Sequence, residues 1–345
     1  MNDSVENRIS DYVKNNLSPK EDERQLISER YDQLDGLLKG QTFQSGSYAR
    51  FTAKTPVSDL DVIWELPGSY LDGRITAATR KRIDPIELEV ANTLSDLADR
   101  LHEEYRKLGV TVRLKPQSHS VGIYFGKTDD EFSIDLIPAV ITNEQNQFGD
   151  PFYLVPDIVN LPKSKRLVKY QELADIGWIK SDPRGYKEAA KRLNDQTKTF
   201  RKVTKIVKAW KDACKKRDDN FPLKSFHMEM VVYDIVSGNQ SLECVEVLSE
   251  VFALLPDRIQ SPHYPDRANA ETFIDEYVEE IDEVTLRAVL GEVSQGTTIS
   301  NQLLDEADPD RVEQLVKRLV GEGPSPTRSV PRTVAAVSRP YYAST

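Results

Sequence analysis

Residues Gly46 to Glu65 read GSYARFTAKTPVSDLDVIWE, and the last part of this stretch decides the fold. Asp59 and Asp61 stand one residue apart in the otherwise apolar run DLDVIW. Side chains alternate along a strand, so a strand over Asp59 to Leu66 puts Asp59, Asp61 and Ile63 on one face and Leu60, Val62 and Trp64 on the other. The second face is suited to burial, and the first carries two carboxylates pointing the same way. The run FSIDLIP, Phe132 to Pro138, repeats the pattern with Ser133, Asp135 and Ile137 on one side. Placed side by side, the two strands bring three acids together.

Three carboxylates within about 4 Å repel by roughly 4 kcal/mol per pair at an effective dielectric near 20, and a divalent cation is the usual remedy. Oxygen donors with no histidine or cysteine nearby suit Mg²⁺ or Mn²⁺, and a pair of such ions is a standard clamp for in-line displacement at phosphorus. A bare DxD is more often two separate surface or capping acids. The residues upstream raise its content. Gly46-Ser47 follows a short predicted strand, Gln41 to Ser45, and eleven residues separate Ser47 from Asp59. Glycine lets the backbone approach a phosphate closely, and a serine hydroxyl with exposed amides can cradle it.

Outward from this stretch, Asn2 to Leu17 has helical composition. A second helix is expected to open at Ser18-Pro19-Lys20-Glu21, with Ser18 as its cap, and to stop at Gly40. A long charged helix is predicted over Ile83 to Leu108, then strands over Val110 to Lys115 and Ser120 to Phe125. From about Ser164 the pattern is nearly all helical, with candidates over Tyr186 to Lys216, Leu223 to Ser237, Leu242 to Leu255, Ala270 to Ile281 and Ile299 to Val320. Pro151, Pro156, Pro162 and Pro183 punctuate a boundary near 155 to 185. The final stretch 323–345 holds four prolines and no acid, which predicts a mobile tail.

At 345 residues and 39% hydrophobic content the chain can build two lobes or one large domain. Its net charge of −10 argues against gripping a long nucleic acid with the whole surface. The charge is uneven: Lys187 to Arg217 carries twelve basic residues against three acids. A basic segment in an acidic protein suits a compact polyanion such as a nucleoside triphosphate, or is simply a solvated helix face. The apolar runs are too short to cross a bilayer and MNDSVENRIS lacks the character of a signal peptide, so a cytoplasmic protein with no membrane partner is expected. Cys214 and Cys244 are expected to be reduced, and the four histidines show no zinc spacing.

Gly46, Ser47, Asp59, Asp61 and Asp135, in that order, resemble the hallmark of the nucleotidyltransferase superfamily that includes DNA polymerase beta and poly(A) polymerase. A second set, RKVTKIVKAWK (Arg201 to Lys211) and PLKSFHMEMVVY (Pro222 to Tyr233), is similar to the helical lobe of oligoadenylate synthases, cyclic GMP-AMP synthase and the bacterial CD-NTases. GSYARFTAKTPVSDLDV looks most like the CD-NTases. The resemblance implies an α+β, two-lobed polymerase beta-like fold: a mixed central sheet with helices in the N-terminal lobe and a mainly helical C-terminal lobe. It implies a catalytic lobe with N-terminal spine helices over 1–160, a helical lobe for triphosphate and base over 161–322, and the tail over 323–345.

For the site, the resemblance implies two Mg²⁺ ions, with Mn²⁺ as a substitute, on Asp59, Asp61 and Asp135. Gly46 and Ser47 then meet the phosphates, Lys208 and Ser225 support the triphosphate, and Phe226 stacks on the donor base. On residue chemistry alone, Lys208 is one of many lysines, Ser225 reads equally as a helix cap, and Phe226 as core. The implied substrates are nucleoside triphosphates, ATP among them, and the implied product is a cyclic di- or trinucleotide messenger of bacterial anti-phage signalling. The alternatives are a non-cyclising transferase that makes oligoadenylate, tails RNA or modifies a small molecule or protein, and an inactive nucleotide-binding scaffold. The resemblance further implies an operon-encoded regulatory protein acting on the tail. Phe51 departs from the pattern, since a small residue is expected there.

Overall fold

The computed structural model describes residues 3–38, 41–66, 94, 97–126, 132–157 and 178–322. Gly40, most of the first part of the helix expected over Ile83 to Leu108, Pro162 and the tail 323–345 lie outside the described residues. Seven strands form one sheet: β1 (Gln41–Gln44), β2 (Asp59–Glu65), β3 (Arg113–Pro116), β4 (Val121–Tyr124), β5 (Ser133–Gln145), β6 (Pro151–Pro156) and β7 (Trp178–Ser181). The order is β1-β2-β5-β4-β3, with β6 on the far half of β5 and β7 on β6. Only β2 and β5 run parallel.

Helices α1 (Asp3–Tyr12) and α2 (Glu21–Leu37) precede the sheet, the single turn α3 (Gly46–Ala49) follows β1, and residues 97–107 form α4. The second half is helical: α5 (Pro183–Gln196), α6 (Thr199–Arg217), α7 (Ser225–Gly238), α8 (Cys244–Arg258), α9 (Glu283–Asp305) and α10 (Pro309–Leu319). One core joins Leu60, Val62 and Trp64 of β2 to Ile27 and Leu34 of α2 and Leu101 and Tyr105 of α4. A second joins α6, α7 and α8. The buried face of β2 is therefore the one its alternation predicts, which leaves Asp59 and Asp61 on the other side.

The structure corrects several expectations. Helix α2 starts at Glu21 rather than at Ser18: Glu21, Asp22 and Glu23 fill its first turn and favour the positive end of the helix dipole. Ser18 is extended, and its hydroxyl accepts from Lys205 Nζ at 2.9 Å. Tyr186 to Lys216 is two helices, because Thr197 is extended and its hydroxyl oxygen accepts from Thr199 N. Residues 270–275 are not helical, and only the 3-10 turn Glu276–Glu280 forms. Asp275 there accepts from the amides of His263 (2.9 Å) and Tyr264 (3.0 Å), which pins the segment as a loop. The helix expected over Ile299 to Val320 is α9 and α10, divided before Pro309, whose ring cannot continue α9.

Two observations concern how the first and second halves of the chain meet. The proline-punctuated segment holds β6, with Pro151 and Pro156 at its ends, and β7 pairs with it, so the sheet continues past residue 160 to Ser181. Helix α1, expected with the catalytic lobe, shares the core of α6, α7 and α8 through Val5, Ile9 and Tyr12. Cys244 N donates to Glu6 Oε1 at 2.8 Å and Tyr12 Oη to Glu322 at 2.8 Å, fixing α1 there. No helix among the described residues is long and apolar enough to cross a membrane.

Candidate active site

The parallel pairing of β2 and β5 sets Asp61 opposite Asp135 and Asp59 opposite Ser133. The three acids therefore share one sheet face at the start of two adjacent strands, as alternation predicts. The chain enters this place through β1. Ser45 N donates to Asp61 O at 2.8 Å, so the turn α3 begins beside Asp61. Gly46 has φ +65, and a Cβ there would lie 1.7 Å from Asp61 Oδ2. Both the left-handed backbone and the close carboxylate require glycine. The amides of Thr52 and Ala53 donate to Ser47 O at 2.9 and 3.1 Å and hold the turn in shape.

Burial raises the pKa of Asp61 to about 6, and the neighbouring Asp59 and Asp135 add to this while Arg50 opposes it. Asp135 is raised by burial and by Asp59, against a hydrogen bond of 3.2 Å from Gln117. Like charges thus gather, and among the described residues no ion pair neutralises them. Among the described residues no group of three acid, histidine or cysteine side chains is drawn in closely enough to enclose an ion. Asp59 accepts from Ser58 Oγ and Asp135 from Gln117, so the expected tight cluster is not formed. The donor set nonetheless fits Mg²⁺ or Mn²⁺: it is all carboxylate oxygen, and the mutual repulsion is what a divalent cation relieves.

Helices α6 and α7 carry the remaining expected residues, of which Lys208 is the most enclosed. It is 5% exposed, and its Nζ donates to Glu229 at 2.5 Å and to Thr52 O and Oγ1 at 3.3 Å. It lies in the interior, where burial lowers its pKa. The lysine beside Ser225 is Lys211, one turn further along α6, whose Nζ donates to Ser225 Oγ at 2.9 Å. Ser225 is the first residue of α7, and Phe226 follows it half-buried, with Tyr186 edge-on at 5.1 Å and Arg50 at 4.8 Å from its ring centroid. Lys211, Arg50 and Glu229, which contact Ser225, Phe226 and Lys208, were not singled out in the sequence. The run IVKAW around Lys208, buried at every position, was the available signal that this lysine points inward.

No protein-family model matches the sequence, and no curated relative does. Solved structures match over most of its length. CdnC of E. coli MS115-1 with ATP is 17% identical, covering 92% of this chain and 98% of that one at a TM-score of 0.63. The CdnE cyclic dinucleotide synthase of Elizabethkingia meningoseptica with GTP and Apcpp is 14% identical, covering 84% and 96% at 0.52. The DncV cyclic AMP-GMP synthase of Vibrio cholerae is 13% identical, covering 82% and 68% at 0.52. The fold is that of the bacterial CD-NTases.

Within this CD-NTase fold Phe51 has a specific conformation. Its φ is +61, a left-handed position that costs an L side chain about 1–2 kcal/mol. That explains why a small residue is expected. The ring is 62% exposed and lies against the Arg201 guanidinium, 4.5 Å from its centroid. Arg201 Nε also donates to Arg50 O at 3.1 Å. The bulky residue is accommodated because its ring points outward, and the hydrogen bonds from Phe51 N and Thr52 N keep the loop closed.

Proposed function

We propose that the chain is a nucleotidyltransferase that joins nucleoside triphosphates, ATP among them, with release of pyrophosphate, and closes the product into a cyclic di- or trinucleotide. The observation that carries this reading is Asp61, seated between the Gly46 backbone and Asp135 on one face of the sheet. A ribose hydroxyl of one nucleotide attacks the α-phosphorus of another, a P–O bond forms, and pyrophosphate leaves. A final, intramolecular transfer, the second for a dinucleotide and the third for a trinucleotide, closes the ring and releases a further pyrophosphate.

Asp59, Asp61 and Asp135 would hold two Mg²⁺ or Mn²⁺ ions, which would supply charge neutralisation at the phosphates and acidify the attacking hydroxyl. The chain's own groups do the positioning. The Ser47 turn and the Ser225 hydroxyl receive the leaving phosphates, and Lys211 adds a compact positive charge beside Ser225. Phe226, held by Arg50 and Tyr186, offers a ring to the donor base. Catalysis of this type rests on alignment and preorganised charge.

The wider role follows the same reading: a cytoplasmic enzyme of bacterial anti-phage signalling. A regulatory protein acting on residues 323–345, which lie outside the described residues, completes it. CdnC of E. coli has been seen in a complex with HORMA-deltaN, which supports a protein regulator. Incubation with four labelled nucleoside triphosphates and Mg²⁺, followed by phosphatase, tests the activity. A product whose mass is unchanged by phosphatase, having no terminal phosphate to lose, is cyclic. A product that loses terminal phosphates and keeps only its internal diesters points to the non-cyclising alternative, and no pyrophosphate release points to a scaffold.

A further inference from the structure

Arg50, Thr52, Lys208 and Glu229 form a closed polar group in the interior between the sheet and the helices. The Glu229 carboxylate, 3% exposed, accepts from Arg50 Nε at 2.6 Å, Arg50 Nη2 at 3.3 Å, Thr52 Oγ1 at 2.8 Å and Lys208 Nζ at 2.5 Å. Two cations face one carboxylate. Buried ion groups of this kind are often no more stable than apolar residues of the same volume, so stability alone is a weak reason for the arrangement.

Its place in the chain gives a stronger reason. Glu229 lies one turn beyond Ser225 and Phe226 on α7. Arg50 and Thr52 directly follow α3: Arg50 N donates to Gly46 O at 3.3 Å and Thr52 N to Ser47 O at 2.9 Å. Arg50 also lies over the Phe226 ring. One carboxylate therefore ties the Gly46-Ser47 turn to Ser225 and Phe226. The neighbouring tie, Lys54 to Asp212 at 2.8 Å, is partly exposed and correspondingly weak.

We propose that Glu229 is a positioning residue: by gripping Arg50, Thr52 and Lys208 it sets the Gly46-Ser47 turn against Ser225-Phe226 at the separation a nucleoside triphosphate spans. This rests on the nucleotidyl-transfer reading above. Glu229→Gln leaves two buried cations facing a neutral partner and lowers stability, so the decisive variant is Glu229→Gln with Lys208→Met, which removes one of them. Where that variant does not fold, Arg50→Lys replaces it, keeping the charge but losing the two-pronged grip on Glu229.

Turnover and affinity for a nonhydrolysable ATP analogue with Mg²⁺ are measured well below the melting temperature. We expect kcat to fall about 100-fold and the Kd of the analogue to rise about tenfold, as a misplaced turn predicts. A purely structural role would lower the melting temperature and leave both unchanged, and that result overturns the proposal. If the unaltered protein releases no pyrophosphate, the transfer reading falls. The positioning of Ser47 is then decided by the analogue alone: unchanged affinity overturns it, and weakened affinity sustains it.

Discussion

Two charged clusters lie close together in this molecule and are built on opposite terms. Arg50, Lys208 and Glu229 bring unlike charges into the interior and aim Arg50 Nε, Arg50 Nη2 and Lys208 Nζ at one carboxylate. Asp59, Asp61 and Asp135 bring like charges to one sheet face, and among the described residues none of them is in an ion pair. The first cluster is complete in itself and fixes a shape. The second gathers acids with no opposite charge among the described residues, and the proposed function places its metal ions there. In Glu229 the attraction of Arg50 and Lys208 outweighs burial and holds its pKa down to about 2, whereas in Asp61 burial and like charge act together and raise it.

The largest effect comes from breaking the closed cluster. Glu229→Gln should cost about 3–5 kcal/mol in denaturant unfolding, because a buried charge loses its partner. The pH dependence has a definite sign. Glu229 moves from an ordinary 4.5 down to about 2, so its contribution is present above about 4.5 and is lost as pH falls toward 2. The stability advantage of the unaltered protein over Glu229→Gln with Lys208→Met should shrink over that window by up to about 3 kcal/mol. A gap independent of pH would mean that the ion group contributes no net charge stabilisation.

The open cluster breaks more locally. Gly46→Ala, whose Cβ would strike the Asp61 carboxylate, should lower pyrophosphate release about 100-fold while the protein stays folded by circular dichroism. Lys211→Ala should raise KM for the triphosphate about tenfold with little change in melting temperature. Lys208→Met should show itself first in the melting temperature, which sharpens the contrast between the two lysines. Phe51→Gly is the smallest change: relief of the left-handed backbone and loss of the contact with Arg201 nearly offset each other, leaving stability within about 1 kcal/mol. A larger loss in thermal unfolding would give the exposed ring a role that its contacts do not explain.

The acid face was legible because strand alternation is strict: once DLDVIW and FSIDLIP are strands, the sides of Asp59, Asp61 and Asp135 follow. The Gly46-Ser47 turn was legible from its place after a short strand. The enclosure of Lys208 and the place of Lys211 beside Ser225 were not, since residues one turn apart on α6 share nearly the same spacing and only packing decides which one is enclosed. Glu229 was overlooked although it interrupts the apolar run MEMVV, where a lone charge signals a buried partner. The pairing of β6 with β7 was hidden by prolines, of which Pro151 and Pro156 mark strand ends. The swing of α1 into the helical core depends on contacts with Glu322 and Cys244, too distant in sequence for local patterns to reveal.

The most direct test of the central claim is pyrophosphate release from mixed nucleoside triphosphates with Mg²⁺ by the unaltered protein and by Asp61→Asn. Asparagine keeps the shape of the side chain and removes one of the three gathered charges. The account predicts a phosphatase-resistant product from the unaltered protein, and at least about a 1,000-fold loss in the variant with its melting temperature undiminished. Full activity in Asp61→Asn would contradict it.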